Sequence, residues 1–306
     1  MSQTITDTIL MVRPKHFGYN AETAENNAFQ NKEGSENIGQ IKKSALEEFD
    51  NMVSVLKSYD IDVIVIEDTD EPIKKDSVFP NNWFTTHADG KIVTFPMNAV
   101  SRRAERRDDI IERIENEYNF NKRYCFEYLE DENQFLEGTG SMILDRDNRI
   151  IYACISPRTD IRALEKFSVL INYSKIIFHA FDNNDQLIYH TNVMMAMGKD
   201  FVVICLDSIR DSDEHDTLVR QFSQTGKEII DISIEQMNQF AGNMLQVKSK
   251  MGEPILIMSQ AAYNSLNITQ IDKLSEFTKV ISIPIPTIEK YGGGSVRCMM
   301  AEIFTD

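Results

Sequence analysis

Basic residues are scarce: 32 Lys and Arg stand against 48 Asp and Glu, a net charge of −16. Attachment to phosphate backbones or anionic lipid rests on clustered Lys and Arg, so nucleic acid and membrane surfaces are excluded as expected partners. A small-molecule partner fits better, and the oligomeric state is left open, a homo-oligomer included. Cysteine is sparse too. Cys125, Cys154, Cys205 and Cys298 lie far apart with no Cys-x-x-Cys pair, which argues against a disulfide framework and against structural zinc. No uninterrupted apolar run approaches the roughly 20 residues that cross a bilayer. The start, Met1-Ser2-Gln3-Thr4-Ile5-Thr6-Asp7, has no basic stretch before its short apolar run, so no signal peptide is read and a cytoplasmic location is expected. With 13 Gly and 8 Pro there is no linker-like or low-complexity tract, and one domain over residues 1–306 is expected.

What is present is ordinary globular composition, 42% hydrophobic and 26% charged, with chain enough for a sizeable core. Thr8 to Val12 reads as a buried strand, and Phe17 to Ile41 as a long polar surface loop of the kind that often serves as a lid. Ile41 to Tyr59 has helical apolar spacing, and Ile61 to Ile66 is a strand. The alternation recurs. Val78 to Phe95 reads as two strands around Asp89-Gly90, and Arg103 to Glu117 as a helix. Ser141 to Ile155 is a hairpin turning at Asp145 to Asn148, and Asp160 to Tyr173 a helix. Lys175 to Phe181, Val193 to Met197 and Phe201 to Leu206 are strand-like, Ser212 to Thr225 helical, and Glu228 to Ile234 a strand. Met244 to Val247 and Ile255 to Met258 are a further strand pair. Gln260 to Phe277 reads as one helix, Lys279 to Ile285 as a strand, and Arg297 to Phe304 as the last strand. The order strand–strand–helix–strand, repeated about five times, points to an α/β fold of degenerate repeats.

Four stretches set polar groups among apolar ones beside turn residues. They are Phe79-Pro80-Asn81-Asn82-Trp83-Phe84, Phe135-Leu136-Glu137-Gly138-Thr139-Gly140-Ser141, Tyr189-His190-Thr191-Asn192-Val193, and Gly292-Gly293-Gly294-Ser295-Val296-Arg297-Cys298. Singly, each has a plain structural explanation: an Asx turn, an exposed turn carboxylate, a core histidine, a small apolar cysteine. Jointly they supply a thiol, a base, a carboxylate to orient it and amides to hold a substrate, the set that nucleophilic catalysis requires. The acidic run Asp211 to Asp216 lacks the glycine and terminal glutamate of a calcium loop and reads as a solvated helix start. His16, His87 and His179 have no metal-ligand spacing, so no metal and no cofactor are expected.

In this order and over the length from Val12-Arg13-Pro14 to Cys298, the motifs resemble the guanidine-modifying superfamily of arginine deiminases, dimethylarginine hydrolases and amidinotransferases. The chain is most similar to the superfamily's citrulline hydrolase, or citrulline ureidase, branch. The resemblance implies a five-bladed pseudo-symmetric α/β propeller of ββαβ repeats. It implies Cys298 as nucleophile, His190 as general acid/base and Glu137 as the carboxylate working with it. Arg102 and Arg158 fall where relatives bind the substrate α-carboxylate, although Arg102 could be a solvated charge beginning a helix and Arg158 a loop ion pair.

Two departures bear on the substrate. Where arginine deiminases grip the guanidinium with aspartates, this chain has Asn82 and Asn192. A carboxylate only accepts hydrogen bonds, whereas a carboxamide donates and accepts, so a neutral ureido group is expected to suit the pocket. The expected activity is hydrolysis of citrulline to ornithine, ammonia and carbon dioxide through a carbamoyl group on Cys298. The rivals are an arginine deiminase or substituted-arginine dihydrolase, and a non-enzymatic binding protein on the same scaffold. Gly140, where deiminases commonly have aspartate, and Arg297, beside the nucleophile, receive no role at this stage.

Overall fold

The structure is a computed structural model that describes residues 4–304. Strands β1 (Thr8–Arg13) and β2 (Asp62–Glu67) run parallel. Four sheets follow in chain order. The first holds β3 (Phe84–His87), β4 (Lys91–Thr94) and β5 (Lys122–Cys125), the second β6 (Ile143–Asp145), β7 (Ile150–Cys154) and β8 (Ser174–Phe178). The third holds β9 (Met195–Met197), β10 (Phe201–Ile204) and β11 (Glu228–Asp231), the fourth β12 (Leu245–Lys248), β13 (Pro254–Ser259) and β14 (Lys279–Ile283). The last strand, β15 (Ala301–Ile303), returns to pair antiparallel with β1, Thr8 opposite Ile303. The sheet of β1, β2 and β15 is thus assembled from both ends of the described residues.

Every sheet has the same plan: an inner strand antiparallel to a middle strand, and an outer strand parallel to it. A parallel pair needs a crossover, and helices supply it: Ile38–Ser58, Asp108–Tyr118, Ile161–Ile171, Ser212–Gln224, and the pair Gln260–Ser265 and Ile268–Phe277. Middle strands are covered on both faces and read as unbroken apolar runs, as in Ile150–Cys154 and Phe201–Ile204. Outer strands carry a charge at or next to their start, Asp62, Lys122, Lys175, Glu228 and Lys279, which discourages edge-to-edge pairing. The inner strands meet one another, β15 with β3, and β9 with both β6 and β12. The result is a five-bladed α/β propeller, the architecture that the family resemblance implied.

Several boundaries differ for local reasons. The stretch Gln260 to Phe277 is two helices, because the Asn267 side chain accepts from the Gln270 N–H while Gln270 bonds back to the Asn267 N–H, a capping box that starts a new helix. Thr191–Met194 is a helical turn, so β9 begins only at Met195. The polar segment from Phe17 holds a short helix, Ala21–Ala24, and its successor starts at Ile38 rather than Ile41. The last strand is shorter than read, because Cys298, Met299 and Met300 donate back to Ser295, Val296 and Arg297 in tight turns. Among the described residues no helix is long and apolar enough to cross a membrane.

Candidate active site

The turn into each inner strand carries a polar residue followed by two apolar ones: Asn82-Trp83-Phe84, Ser141-Met142-Ile143, Asn192-Val193-Met194, Asn243-Met244-Leu245 and Cys298-Met299-Met300. Since the inner strands face one another, these turns are gathered at one end of the propeller. The seven candidates from the sequence are all there. Asn82, Arg102, Arg158, His190 and Cys298 line one small cavity, Glu137 bonds to His190, and Asn192 to Cys298.

His190 Nε2 donates to Glu137 Oε2 at 2.9 Å, with both side chains buried. Because a carboxylate only accepts, that nitrogen carries the ring proton, and Nδ1 is left with the unprotonated lone pair. Burial pushes the His190 pKa down to about 4, the Glu137 contact only partly opposing it, so the imidazole is neutral near pH 7. Burial pushes Glu137 the other way, yet Arg158, the His190 bond and Arg102 outweigh it and hold the carboxyl at about 2. Arg158 and Arg102 lie 3.6 and 3.8 Å from Glu137 Oε2. Glu137 Oε1 accepts from the Asn98 N–H at 3.0 Å, which fixes the carboxylate plane.

The Cys298 sulfur accepts from two carboxamides, Asn192 Nδ2 at 3.4 Å and Asn243 Nδ2 at 3.3 Å. Asn243 was missed in the sequence, where Phe240-Ala241-Gly242-Asn243 carries no charge. The repeated motif of a polar residue and two apolar ones before a strand was the signal that could have found it. Arg102 forms a bidentate pair with Glu105, at 2.9 and 2.8 Å, and donates to Asn82 Oδ1 at 2.9 Å. Arg158 donates to Asn26 Oδ1 at 2.8 Å and to the Thr23 carbonyl at 2.9 Å. Buried Asp76, also unforeseen, lines the cavity. Its carboxyl is raised by burial against the pull of Arg102 and the Asn20 hydrogen bond.

Four buried polar atoms around the site have no partner among the described residues: Asn82 Nδ2, Asn192 Oδ1, Asp76 Oδ1 and Gln30 Oε1. Unsatisfied buried groups are costly and concentrate where a ligand completes them. Gly140 now has a reason. A Cβ there would stand 2.7 Å from the His190 ring and still closer to Asn82 Nδ2, so even alanine's methyl group meets side chains that would have to shift. Arg297 turns out of the pocket, donating to the Met300 carbonyl at 2.8 Å and Glu302 at 2.6 Å, and so braces the cysteine turn.

The segment from Phe17 covers the site. Asn27 Nδ2 donates to the Gly293 carbonyl at 3.2 Å and Gln30 Nε2 to that of Gly292 at 3.0 Å. Gly293 has φ 61°, the left-handed conformation that glycine adopts without strain. Underneath, the cavity measures about 10 Å³, room for about one water molecule.

A model of the family described as N,N dimethylarginine dimethylhydrolase, eukaryotic, matches residues 13–305. None of the curated proteins matches the sequence. Among solved structures, the chain is similar to ArgZ, an arginine dihydrolase from the ornithine-ammonia cycle in cyanobacteria. Identity to the apo form is 17% with TM-score 0.76, covering 98% of this chain and 41% of that one. The chain thus spans about two fifths of that protein's length. The N-terminal domain of ArgZ bound to substrate matches at 17% identity and TM-score 0.75, covering 97% and 98%. A dimethylarginine dimethylaminohydrolase, as its adduct with 4-chloro-2-hydroxymethylpyridine, matches at 16% identity and TM-score 0.67, covering 98% and 100%. At these identities the likeness is one of fold.

Proposed function

Since the chain belongs to the N,N dimethylarginine dimethylhydrolase family, in the guanidino-modifying superfamily, we propose that it is a cysteine-dependent hydrolase of arginine or a substituted arginine. The observation that carries this reading is the convergence of the Cys298 sulfur, the neutral His190 held by Glu137, and buried charges of both signs around one cavity. Arg102 and Arg158 offer positive charge to an α-carboxylate, and the free Oδ1 of Asp76 accepts from an α-ammonium.

His190 Nδ1 takes the Cys298 proton, and the thiolate so formed attacks the terminal carbon. The carbon–nitrogen bond then breaks, and the departing amine leaves with the proton from His190. Water, deprotonated by His190, attacks the carbon; the carbon–sulfur bond breaks and the thiol is re-formed. The side-chain amides of Asn82 and Asn192 face the reacting end in this scheme.

A second reading, hydrolysis of citrulline, is favoured by one observation: the site offers both a free donor, Asn82 Nδ2, and a free acceptor, Asn192 Oδ1. A guanidinium presents only N–H groups and leaves that donor unmatched, whereas a ureido group presents a carbonyl and N–H groups together. The two readings join in a dihydrolase, which meets a guanidinium first and a ureide second. The test is to give purified protein arginine, dimethylarginine and citrulline separately and follow amine, ammonia, citrulline and ornithine. Turnover of a guanidino substrate that Cys298→Ala abolishes is expected; turnover of citrulline alone selects the second reading. Undiminished turnover by Cys298→Ala overturns both.

A further inference from the structure

We propose that Asn243 is a further catalytic residue, whose side-chain N–H holds the Cys298 sulfur as the reactive thiolate. The inference rests on Cys298 being the nucleophile. Asn243 lies on the turn into β12, in the one blade whose turn had no assigned part in the site. Its Nδ2 stands 3.3 Å from the sulfur. The side chain is completely buried, and every group on it is engaged. Nδ2 donates also to the Asn192 carbonyl at 2.8 Å, and Oδ1 accepts from the Arg297 N–H at 3.0 Å. That last bond settles which end of the amide faces the sulfur, because an N–H can be met only by the carbonyl oxygen.

Asn192 is built differently. Its Nδ2 reaches the sulfur at 3.4 Å but its Oδ1 is free, so it has an atom left for substrate. Asn243 has none: its amide is used by the sulfur and by the backbone of Asn192 and Arg297. The need is evident from the surroundings. Cys298 is 3% exposed, so water does little to solvate an anion there. Arg102 and Arg158 direct hydrogen bonds to Glu105, Asn82, Asn26 and Thr23 and not to the sulfur. A buried anion without donors is strongly disfavoured, and two fixed carboxamides supply donors without adding a charge that would repel a cationic substrate. The placement is rigid: a Cβ on the preceding Gly242 would strike the Val193 carbonyl, so the turns bearing Asn243 and Asn192 are in backbone contact.

The test follows the thiolate itself by its ultraviolet absorbance against pH, as the difference between each protein and its Cys298→Ala counterpart. Asn243→Asp keeps the bond to the Arg297 N–H and replaces the donor by a carboxylate. It is expected to lower the thiolate fraction near neutral pH about tenfold and displace the profile to higher pH, the scale of one charge-assisted hydrogen bond. Asn243→Ser, which retains a donor, is expected to keep the parental profile. Should the aspartate variant not fold, Asn243→Leu reads the same quantity. An undisplaced profile in the aspartate or leucine variant, or an equal displacement with serine, overturns the proposal. No substrate is involved, so the profile reads the Asn243 contact by itself, and inactivity toward all three amino acids counts separately against the hydrolase reading.

Discussion

His190 and Glu137 share one hydrogen bond, and burial drives their protonation in opposite directions. With His190 at about 4 and Glu137 at about 2, the pair at pH 7 is a neutral imidazole beside a carboxylate, the form that the proposed mechanism requires to take the thiol proton. Glu137→Gln removes the charge and the preference for the Nε2 proton together, and kcat is expected to fall by roughly 10²–10⁴-fold, the range of general acid–base catalysis. Steady-state rates at saturating substrate check this. The same values fix how stability changes with pH. The folded His190 pKa is depressed from 6.5, so as pH falls below 6.5 the unfolded chain takes a proton that the folded chain refuses. Stability present above pH 6.5 is lost on the way to about 4. Glu137, depressed from 4.5, adds a further loss between 4.5 and 2. Buried His87 is lowered as well, by desolvation and then Arg146, so it acts with the same sign. Denaturant unfolding at stepped pH is expected to show His190→Asn losing less stability than the parent between pH 6.5 and 4, with the His87 share retained. Asn192→Asp tests substrate choice. A carboxylate there is expected to move the ratio of kcat/KM for arginine over citrulline upward by at least about tenfold, and an unchanged ratio counts against a role for the carboxamides in selection.

At the scale of elements, the turns into the inner strands decide what was legible in the sequence. Glu137, His190 and Cys298 stood out because a charged or nucleophilic residue interrupts apolar surroundings. Asn243 did not, since Phe240-Ala241-Gly242-Asn243-Met244 carries no charge and its meaning comes only from the sulfur it reaches across the propeller. Asp76 was passed over for a similar reason: its exposure is set by the segment from Phe17, which is distant in sequence. Strand β5, Lys122-Arg123-Tyr124-Cys125, has no apolar alternation because all four residues are exposed at an outer edge. Middle strands were read correctly because burial on both faces leaves an apolar run that needs no partner to be recognised. The covering segment itself was read as a loop suited to a lid, and the structure adds its anchors. A cavity of about 10 Å³ holds about one water molecule, so substrate entry is expected to require the segment to lift. Asn27→Ala combined with Gln30→Ala removes two anchoring bonds, each worth about 1 kcal/mol. Faster amide exchange across residues 21–31 and a KM raised roughly tenfold are expected, because closure over bound substrate is weakened; unchanged exchange and KM would mean that other contacts hold the segment.

Across the whole molecule, a net charge of −16 surrounds a site that gathers Arg102 and Arg158 within it. On the proposed reading, the outer field attracts cations, and the inner arginines receive a carboxylate once a zwitterion has arrived. Long-range attraction acts on net charge, so arginine, carrying one net positive charge, is drawn in, while citrulline, with none, is not. Screening separates the two. The Debye length shortens from about 30 Å at 0.01 M salt to about 8 Å at 0.15 M. Over that range kcat/KM for arginine is expected to fall several-fold while that for citrulline stays level. The buried pairs Arg102–Glu105 and His190–Glu137 lie out of reach of the screening ions, so kcat should not follow. Self-repulsion among the surface carboxylates is relieved by the same salt, and the melting temperature is expected to rise as arginine kcat/KM falls. Initial-rate kinetics and thermal melts on one salt series read both effects. A flat arginine response beside a rising melting temperature would place the capture of substrate under the local charges of the site, with no part for the acidic exterior.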